Sequence, residues 1–213
     1  MKIKTVVIGP IEVNNYLVID ENTKDAVLID AGGDLEKTVR LAKDNNAHIK
    51  YVLNTHGHFD HTAGDYDIKE KAGAKVLMHQ SDLYFVNNIK DHLALYNMPQ
   101  YEIPKIDEYI QDEQIISVGN LQIKVIHTPG HSEGSVCFLI DNHLFSGDTL
   151  FADEVGRTDL PGGSFEKLRD SVINKLFILD ESTKVYPGHG PTTSIGHEKK
   201  NNPYFGERAR YKK

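Results

Sequence analysis

Apolar positions along the chain fall mostly into short runs. Ile3 to Ile8 is rich in β-branched residues, a turn is expected at Asn14-Asn15, and Tyr16-Leu17-Val18-Ile19 and Ala26-Val27-Leu28-Ile29 follow. Runs of this length between polar breaks predict strands. Asp30-Ala31-Gly32-Gly33 ends the third run, and from Asp34 the period changes, placing Leu35, Thr38, Val39 and Ala42 on one helical face. Ile49 to Leu53 predicts a buried strand that runs into a polar loop from Asn54 to His61. A helix is expected from about Thr62 to Lys71, a strand over Lys75 to Met78, and helix over 81–98, with Pro99 and Pro104 as punctuation.

The second half follows a similar plan. Leu121 to Ile126 alternates, Pro129-Gly130 turns it into Ser135 to Ile140, and Leu144-Phe145 forms a short strand ending at Gly147-Asp148. Leu150 to Gly163 reads as loop. Ser164 is placed to cap a helix carrying Phe165, Leu168, Val172 and Leu176 on one face. A strand near Lys184 to Tyr186 ends in Pro187-Gly188-His189-Gly190. Strands and helices interleave without a linker or low-complexity segment, which predicts an α/β or α+β architecture.

Composition narrows this little. The 213 residues suffice for one domain over 1–213, and 39% hydrophobic with 26% charged residues is ordinary globular usage. The formal charge is 24 minus 31, or −7, with no long basic run, so a nucleic-acid partner is not expected. Cys137, the one cysteine, excludes an intrachain disulfide, and its apolar run predicts a buried thiol. Glu12, Asn14 and Asn15 interrupt the first apolar stretches, and no run approaches membrane-spanning length. The expectation is a soluble cytoplasmic protein with no membrane partner.

Candidate chemistry changes the picture most. Thr55-His56-Gly57-His58-Phe59-Asp60-His61 packs three imidazoles and a carboxylate behind an apolar strand. Imidazole nitrogen and carboxylate oxygen suit zinc, iron and manganese. So many donors in so short a span suggest division between two adjacent ions, with Gly57 expected to let the backbone turn. Thr128-Pro129-Gly130-His131, Ser146-Gly147-Asp148-Thr149 and Pro187-Gly188-His189-Gly190 repeat the design of strand end, glycine turn and donor. His48, His79, His92, His127, His143 and His197 have no such context and read as satisfied or solvent-exposed.

The order His-x-His-x-Asp-His, then His131, Asp148 and His189, resembles the metallo-β-lactamase-fold superfamily, above all its compact glyoxalase II-like hydrolases. The resemblance runs from the first strands to His189. It implies a four-layer αββα sandwich with metals at one edge between the sheets. It also implies two divalent ions, zinc in the first place and iron or manganese as alternatives. His56, His58 and His131 would hold one ion, Asp60, His61 and His189 the other, and Asp148 would bridge them. A shared water would then become the hydroxide nucleophile, oriented by Asp60 as the catalytic carboxylate.

Departures separate other branches. Exported β-lactamases differ in their zinc set from His61 and Asp148, flavodiiron proteins carry an acidic residue where His58 stands, and transfer-RNA-processing members add a basic arm. Gly156 to Gly163 resembles compact bacterial glyoxalase II-like proteins, and its Gly156-Arg157-Thr158-Asp159 core also occurs in persulfide dioxygenases. Arg157 is either a substrate-binding cation or an ordinary partner of Asp159. The helical glutathione-binding C-terminal domain of larger glyoxalase II enzymes is not expected, leaving Arg208, Arg210, Lys212 and Lys213 as a basic tail. The reading is a thioester hydrolase acting on S-D-lactoylglutathione or another small-molecule acylthiol, as a monomer or homodimer. The alternative is a persulfide dioxygenase with a single Fe(II) held by His56 or His58, His131 and Asp148.

Overall fold

Alternate residues of each central strand serve two different cores, which is why these strands read as continuous apolar runs. The computed structural model describes residues 1–33, 35–95, 97–102 and 105–209. In the first sheet, β1 (Lys2–Ile8), β2 (Val13–Ile19), β3 (Asp25–Ile29), β4 (His48–Leu53), β5 (Lys75–His79) and β6 (Glu108–Ile110) lie side by side in chain order. The pairs β1–β2 and β2–β3 are antiparallel, and the strands from β3 to β6 are parallel. The remaining strands are β7 (Ile115–Val118), β8 (Leu121–His127), β9 (Val136–Ile140), β10 (His143–Gly147), the small hairpin of β11 (Leu150–Phe151) and β12 (Glu154–Val155), β13 (Lys184–Pro187) and β14 (Thr193–Ser194). All but the hairpin build a second sheet ordered β14-β13-β10-β9-β8-β7, in which β10 and β13 are parallel.

The helices are α1 (Glu36–Asp44), α2 (Phe59–Thr62), α3 (Asp65–Ala72), α4 (Leu83–Asn87), α5 (Ile89–Leu95), α6 (Phe165–Ser171) and α7 (Ile195–Asn201). Between the sheets, Val18, Val27, Ile29, Leu53 and Leu77 meet Ile123, Val125, Phe138, Phe145 and Tyr186. The opposite parity, Leu17, Ile19, Leu28, Val52 and Val76, packs under Leu35 and Ala42 of the α1 region and Ile68 of α3. Cys137, Leu144 and Val185 pack under Leu168 of α6, Val172, Leu176 and Ile195 of α7. The layers are thus α-β-β-α, as expected. Burying each such large side chain contributes roughly 1.5–3 kcal/mol. Cys137 is fully buried, and burial pushes its thiol up to about 11.

Several local expectations are corrected. The first turn lies at Gly9–Glu12, and Asn14 and Asn15 are buried within β2. The Thr62–Lys71 helix is two pieces, because the Gly64 N–H bonds Ala31 O at 2.6 Å. The helical stretch after Ser81 breaks at Asn88, whose side-chain amide donates to Tyr84 O at 2.7 Å. His61 belongs to α2 rather than to loop. Ser164 caps α6 through the Lys167 N–H, and the helix continues as a π-turn over Val172–Leu176. The short strands β6, β7, β11, β12 and β14, together with α7, were not expected; Asp34, Pro104, Arg210, Lys212 and Lys213 lie outside the described residues.

Candidate metal centre

Carboxyl ends of strands deliver every expected donor to one edge of the sandwich, the end at which α/β sheets concentrate chemistry. β4 runs into His56 and His58, and the following turn α2 presents Asp60 and His61. From the second sheet, β8 leads to His131, β10 to Asp148 and β13 to His189. The two sheets are tied together at this edge. Tyr16 Oη donates to Pro187 O at 2.7 Å, the Asn14 N–H donates to Gly188 O at 2.7 Å, and the Asn14 side chain reaches Pro187 O and Gly190 O.

The donors fall into two groups joined by one carboxylate. His131 Nε2 lies 2.9 Å from His58 Nδ1 and 3.3 Å from His56 Nε2. Beside them, Asp60 Oδ2 is 3.6 Å from His61 Nε2 and 3.3 Å from His189 Nε2. Asp148 touches both sets: Oδ1 is 3.4 Å from His61 Nε2, and Oδ2 is 3.6 Å from His131 Nε2 and 3.8 Å from His189 Nε2. Within each of the sets His56/His58/His131, His56/His61/Asp148 and Asp60/His61/His189, the ligand atoms all lie within 4.8 Å of one another.

The outward nitrogens of four rings are held by neighbours. His131 Nδ1 bonds Arg157 O at 2.8 Å and His189 Nδ1 bonds Ile11 O at 3.0 Å. A carbonyl oxygen only accepts, so these Nδ1 atoms carry the proton and their Nε2 lone pairs face the centre. His61 Nδ1 donates to Asp30 Oδ2 at 2.8 Å, and His56 Nδ1 meets Thr55 Oγ1, which in turn donates to Asp30. His61 Nε2 and Asp148 Oδ1 are buried with no hydrogen-bond partner among the described residues. Lone pairs converging this closely are accommodated by a cation between them, and nitrogen with carboxylate oxygen is a zinc- or iron-type donor set. The residues therefore fit a pair of divalent ions.

Electrostatics differ across the centre. Burial and then the surrounding imidazoles keep His56 far below its usual range, and the same causes bring His58 to about 3. Both are neutral, ligand-ready rings at any ordinary pH. Burial also opposes a charge on His61, but Asp30, Asp60 and Asp148 outweigh it and push this ring up to about 10. Burial likewise opposes ionisation of Asp60, which His61 and His189 outweigh, so its carboxyl stays ionised.

Two glycines owe their identity to crowding here. A Cβ on Gly188 would meet Asp148 Oδ1 at 2.2 Å and His61 Cε1 at 2.8 Å. A Cβ on Gly57 would meet Asp82 O at 2.7 Å, so close approach rather than an unusual turn explains it. Asp82 itself was not anticipated. Its buried carboxylate accepts from the Gly57 N–H at 2.8 Å, Ser132 Oγ at 2.6 Å and the Gly134 N–H at 2.7 Å, clamping the His56–His58 loop to the His131 loop. In sequence Asp30 marks only the end of an apolar run. Its φ of 57° in a non-glycine residue marks the local cost of turning its carboxylate inward.

A cleft of about 510 Å³ opens over the donors. Arg157 lies on its wall, bonded to Asp159 through two nitrogens at 2.8 and 2.7 Å, so the ion pair is formed and the guanidinium stands at the cleft and not among the donors. His92, expected to be without context, also lines it. His79 and His127 stack with ring centres 4.3 Å apart. His197 and Asp153 meet at 2.7 Å beside buried Glu198, whose oxygens already accept from Asp153, Thr193 and Asn202. Arg208 of the basic tail is exposed. Among the described residues no helix is long and apolar enough to cross a membrane.

Comparison with known proteins agrees with this geometry. An uncharacterized protein of Aquifex aeolicus is 37% identical over 97% of this chain and 98% of its own length. The hydroxyacylglutathione hydrolase GloC of Haemophilus influenzae is 29% identical over 98% of this chain and 100% of its own. Among solved structures, the BLEG-1 B3 metallo-beta-lactamase superposes with a TM-score of 0.89 at 34% identity, covering 96% of this chain and 99% of its own. TTHA1623 in a di-iron-bound form gives 0.85 at 34%, covering 94% and 99%, and ETHE1 from Myxococcus xanthus 0.81 at 28%, covering 96% and 84%. The likeness to BLEG-1 means that distance from the exported β-lactamases does not separate this chain from every protein bearing that name. The family model described as the metallo-beta-lactamase superfamily matches residues 8–189, and the chain belongs to that superfamily.

Proposed function

We propose that the chain is a metal-dependent hydrolase that cleaves acyl thioesters, with S-D-lactoylglutathione as the first substrate to test. The observation that carries this reading is Asp148, whose two oxygens face the two donor groups at 3.4 and 3.6 Å. His56, His58 and His131 would hold one divalent ion, and Asp60, His61 and His189 the other, with Asp148 shared. Two such ions, when bound, supply a strong oxygen nucleophile near neutral pH and Lewis-acid stabilisation of the developing oxyanion.

The residues of this chain supply the rest. Asp60, kept ionised by His61 and His189, lines the cleft as a hydrogen-bond acceptor that can orient the attacking group. Asp30, Thr55, Ile11 O and Arg157 O fix the ring orientations, so the donors need no rearrangement when substrate arrives. Phe59, Phe85 and Leu160 give the cleft an apolar wall beside the reacting carbonyl. The full-length likeness to the Haemophilus influenzae hydroxyacylglutathione hydrolase supports a glutathione thioester.

The test is loss of thioester absorbance with S-D-lactoylglutathione, with and without chelator, alongside metal analysis. Chelator-sensitive turnover with about two ions per chain is the expected result. The likeness to BLEG-1 favours a β-lactam as the second compound to try, since the same chemistry opens an amide. The Gly156-Arg157-Thr158-Asp159 core keeps persulfide oxidation as the remaining alternative; one iron per chain and no hydrolysis would select it.

A further inference from the structure

The cleft has an annex. A pocket of about 110 Å³ adjoins it, shares Ile11, Phe59 and Asp60 with its wall, and is otherwise lined by side chains such as Ile8, Val13, Ala63, Leu93 and Met98. Among the described residues, Asp60 and Tyr101 are the only lining side chains with oxygen or nitrogen atoms. The pocket is partly open, and its volume, set beside the roughly 150 Å³ of an apolar cavity that holds a benzene ring, suits a branched alkyl group of roughly four or five carbons. The rest of the cleft wall, away from the donors, is apolar through Phe85, Leu95, Leu160 and Pro161, and its polar exceptions are His92 and Arg157.

From the shared residues we infer that this annex is the acyl-group subsite, selecting a short, branched, unfunctionalised acyl chain that passes Asp60 into the pocket. The inference rests on the thioester-hydrolase reading and narrows its acyl half. A carbonyl placed over the donors directs its substituents along the cleft, and Asp60 stands where cleft and annex meet. A linear chain of ten carbons exceeds the volume, and an acetyl group leaves it unfilled. A lactoyl group contributes one methyl and a hydroxyl, which the apolar lining does not reward.

The experiment compares the acetyl, D-lactoyl, isovaleryl and decanoyl thioesters of glutathione on the metal-loaded protein. Isovaleryl is expected to exceed acetyl and decanoyl by about tenfold or more in kcat/KM, the scale on which a fitted apolar pocket discriminates. Ala63→Leu, which places a larger side chain in the annex, should bring the isovaleryl-to-acetyl ratio towards one. A second readout does not depend on that variant folding or on turnover. The chain has three methionines, Met1, Met78 and Met98, and Met98 alone lines the annex. In methyl-¹³C-methionine NMR, the 4-methyl-2-oxopentyl thioether of glutathione, which cannot be hydrolysed, should move the Met98 signal and leave Met78 in place. Turnover that is indifferent to the acyl chain, with Met98 unmoved by the thioether, overturns the subsite. Absence of thioester turnover in loaded protein sinks the hydrolase reading instead, and the Met98 signal then still decides whether the annex takes an apolar group.

Discussion

The two donor groups on either side of Asp148 share a carboxylate but live in opposite fields. Around His56, His58 and His131 the local company is imidazole, and burial keeps His56 and His58 neutral. Around His61 and His189 the company is carboxylate: Asp60 and Asp148 in front, Asp30 behind. In the first group, His56 and His58 are neutral rings that meet a cation without losing a proton. The second already attracts positive charge, holds it as a proton on His61, and must release that proton to accept an ion. Two neighbouring positions built from the same residue types thus differ in what binding costs them.

Removing the shared residue erases the comparison. Asp148→Ala should lower occupancy of both groups and reduce turnover by more than about a hundredfold, beyond the usual loss for a supporting residue. Metal analysis after dialysis and thioester hydrolysis check it; wild-type occupancy would exclude the bridging role.

Supporting carboxylates should break the two groups separately. Asp30→Ala frees His61 and is expected to weaken the second group by about 10–100-fold in metal affinity, while Asp82→Ala loosens the His56 and His131 loops and weakens the first. Stepwise titration with Co²⁺ reads the two affinities. Equal losses at both steps from either variant would mean that the groups act as one.

The pH dependence sharpens the contrast. His61, pushed up to about 10, gives up a proton on metal binding throughout the neutral range, so affinity there should rise by roughly tenfold per pH unit. His58, at about 3, has no proton to lose above pH 5, so His56 and His58 add no pH dependence to the first step and its slope should be the shallower. Competition titrations at pH 6, 7 and 8 test this; parallel slopes would contradict it. The smallest effect belongs to the seam between the sheets. Tyr16→Phe deletes the donor to Pro187 O and should cost about 1 kcal/mol in urea unfolding with the metal steps little changed.

Much of this was legible in the chain. The central strands follow from apolar runs, and the His and Asp residues that the structure gathers stand at the ends of those runs, because core parity and donor chemistry act on residue type; the four-layer order came from the family resemblance. What escaped notice depends on contacts distant in sequence. Asp82 meets Ser132 and Gly134 fifty residues away, and nothing around Gln80-Ser81-Asp82 announces it. Asp30 carried a signal, a lone carboxylate directly after Ala26–Ile29, like Asp148 after its own strand. Asn14 and Asn15 look like a turn in sequence, but the Asn14 amide donates to Pro187 O and Gly190 O of the other sheet and Asn15 Oδ1 accepts from the Gly32 N–H, contacts that residue type does not announce. Edge strands such as β6 and β14 are two or three residues long and too short to show a period.

The donors are divided between the sheets. His56, His58, Asp60 and His61 come from the first, and His131, Asp148 and His189 from the second, so each proposed three-residue set spans the seam. Neither half can assemble a complete set before the halves have docked. If the two ions bind as proposed, their uptake would come late in maturation, and a chain holding both would have certified its own tertiary structure. Loss of either ion should, by the same linkage, loosen the grip of one half on the other.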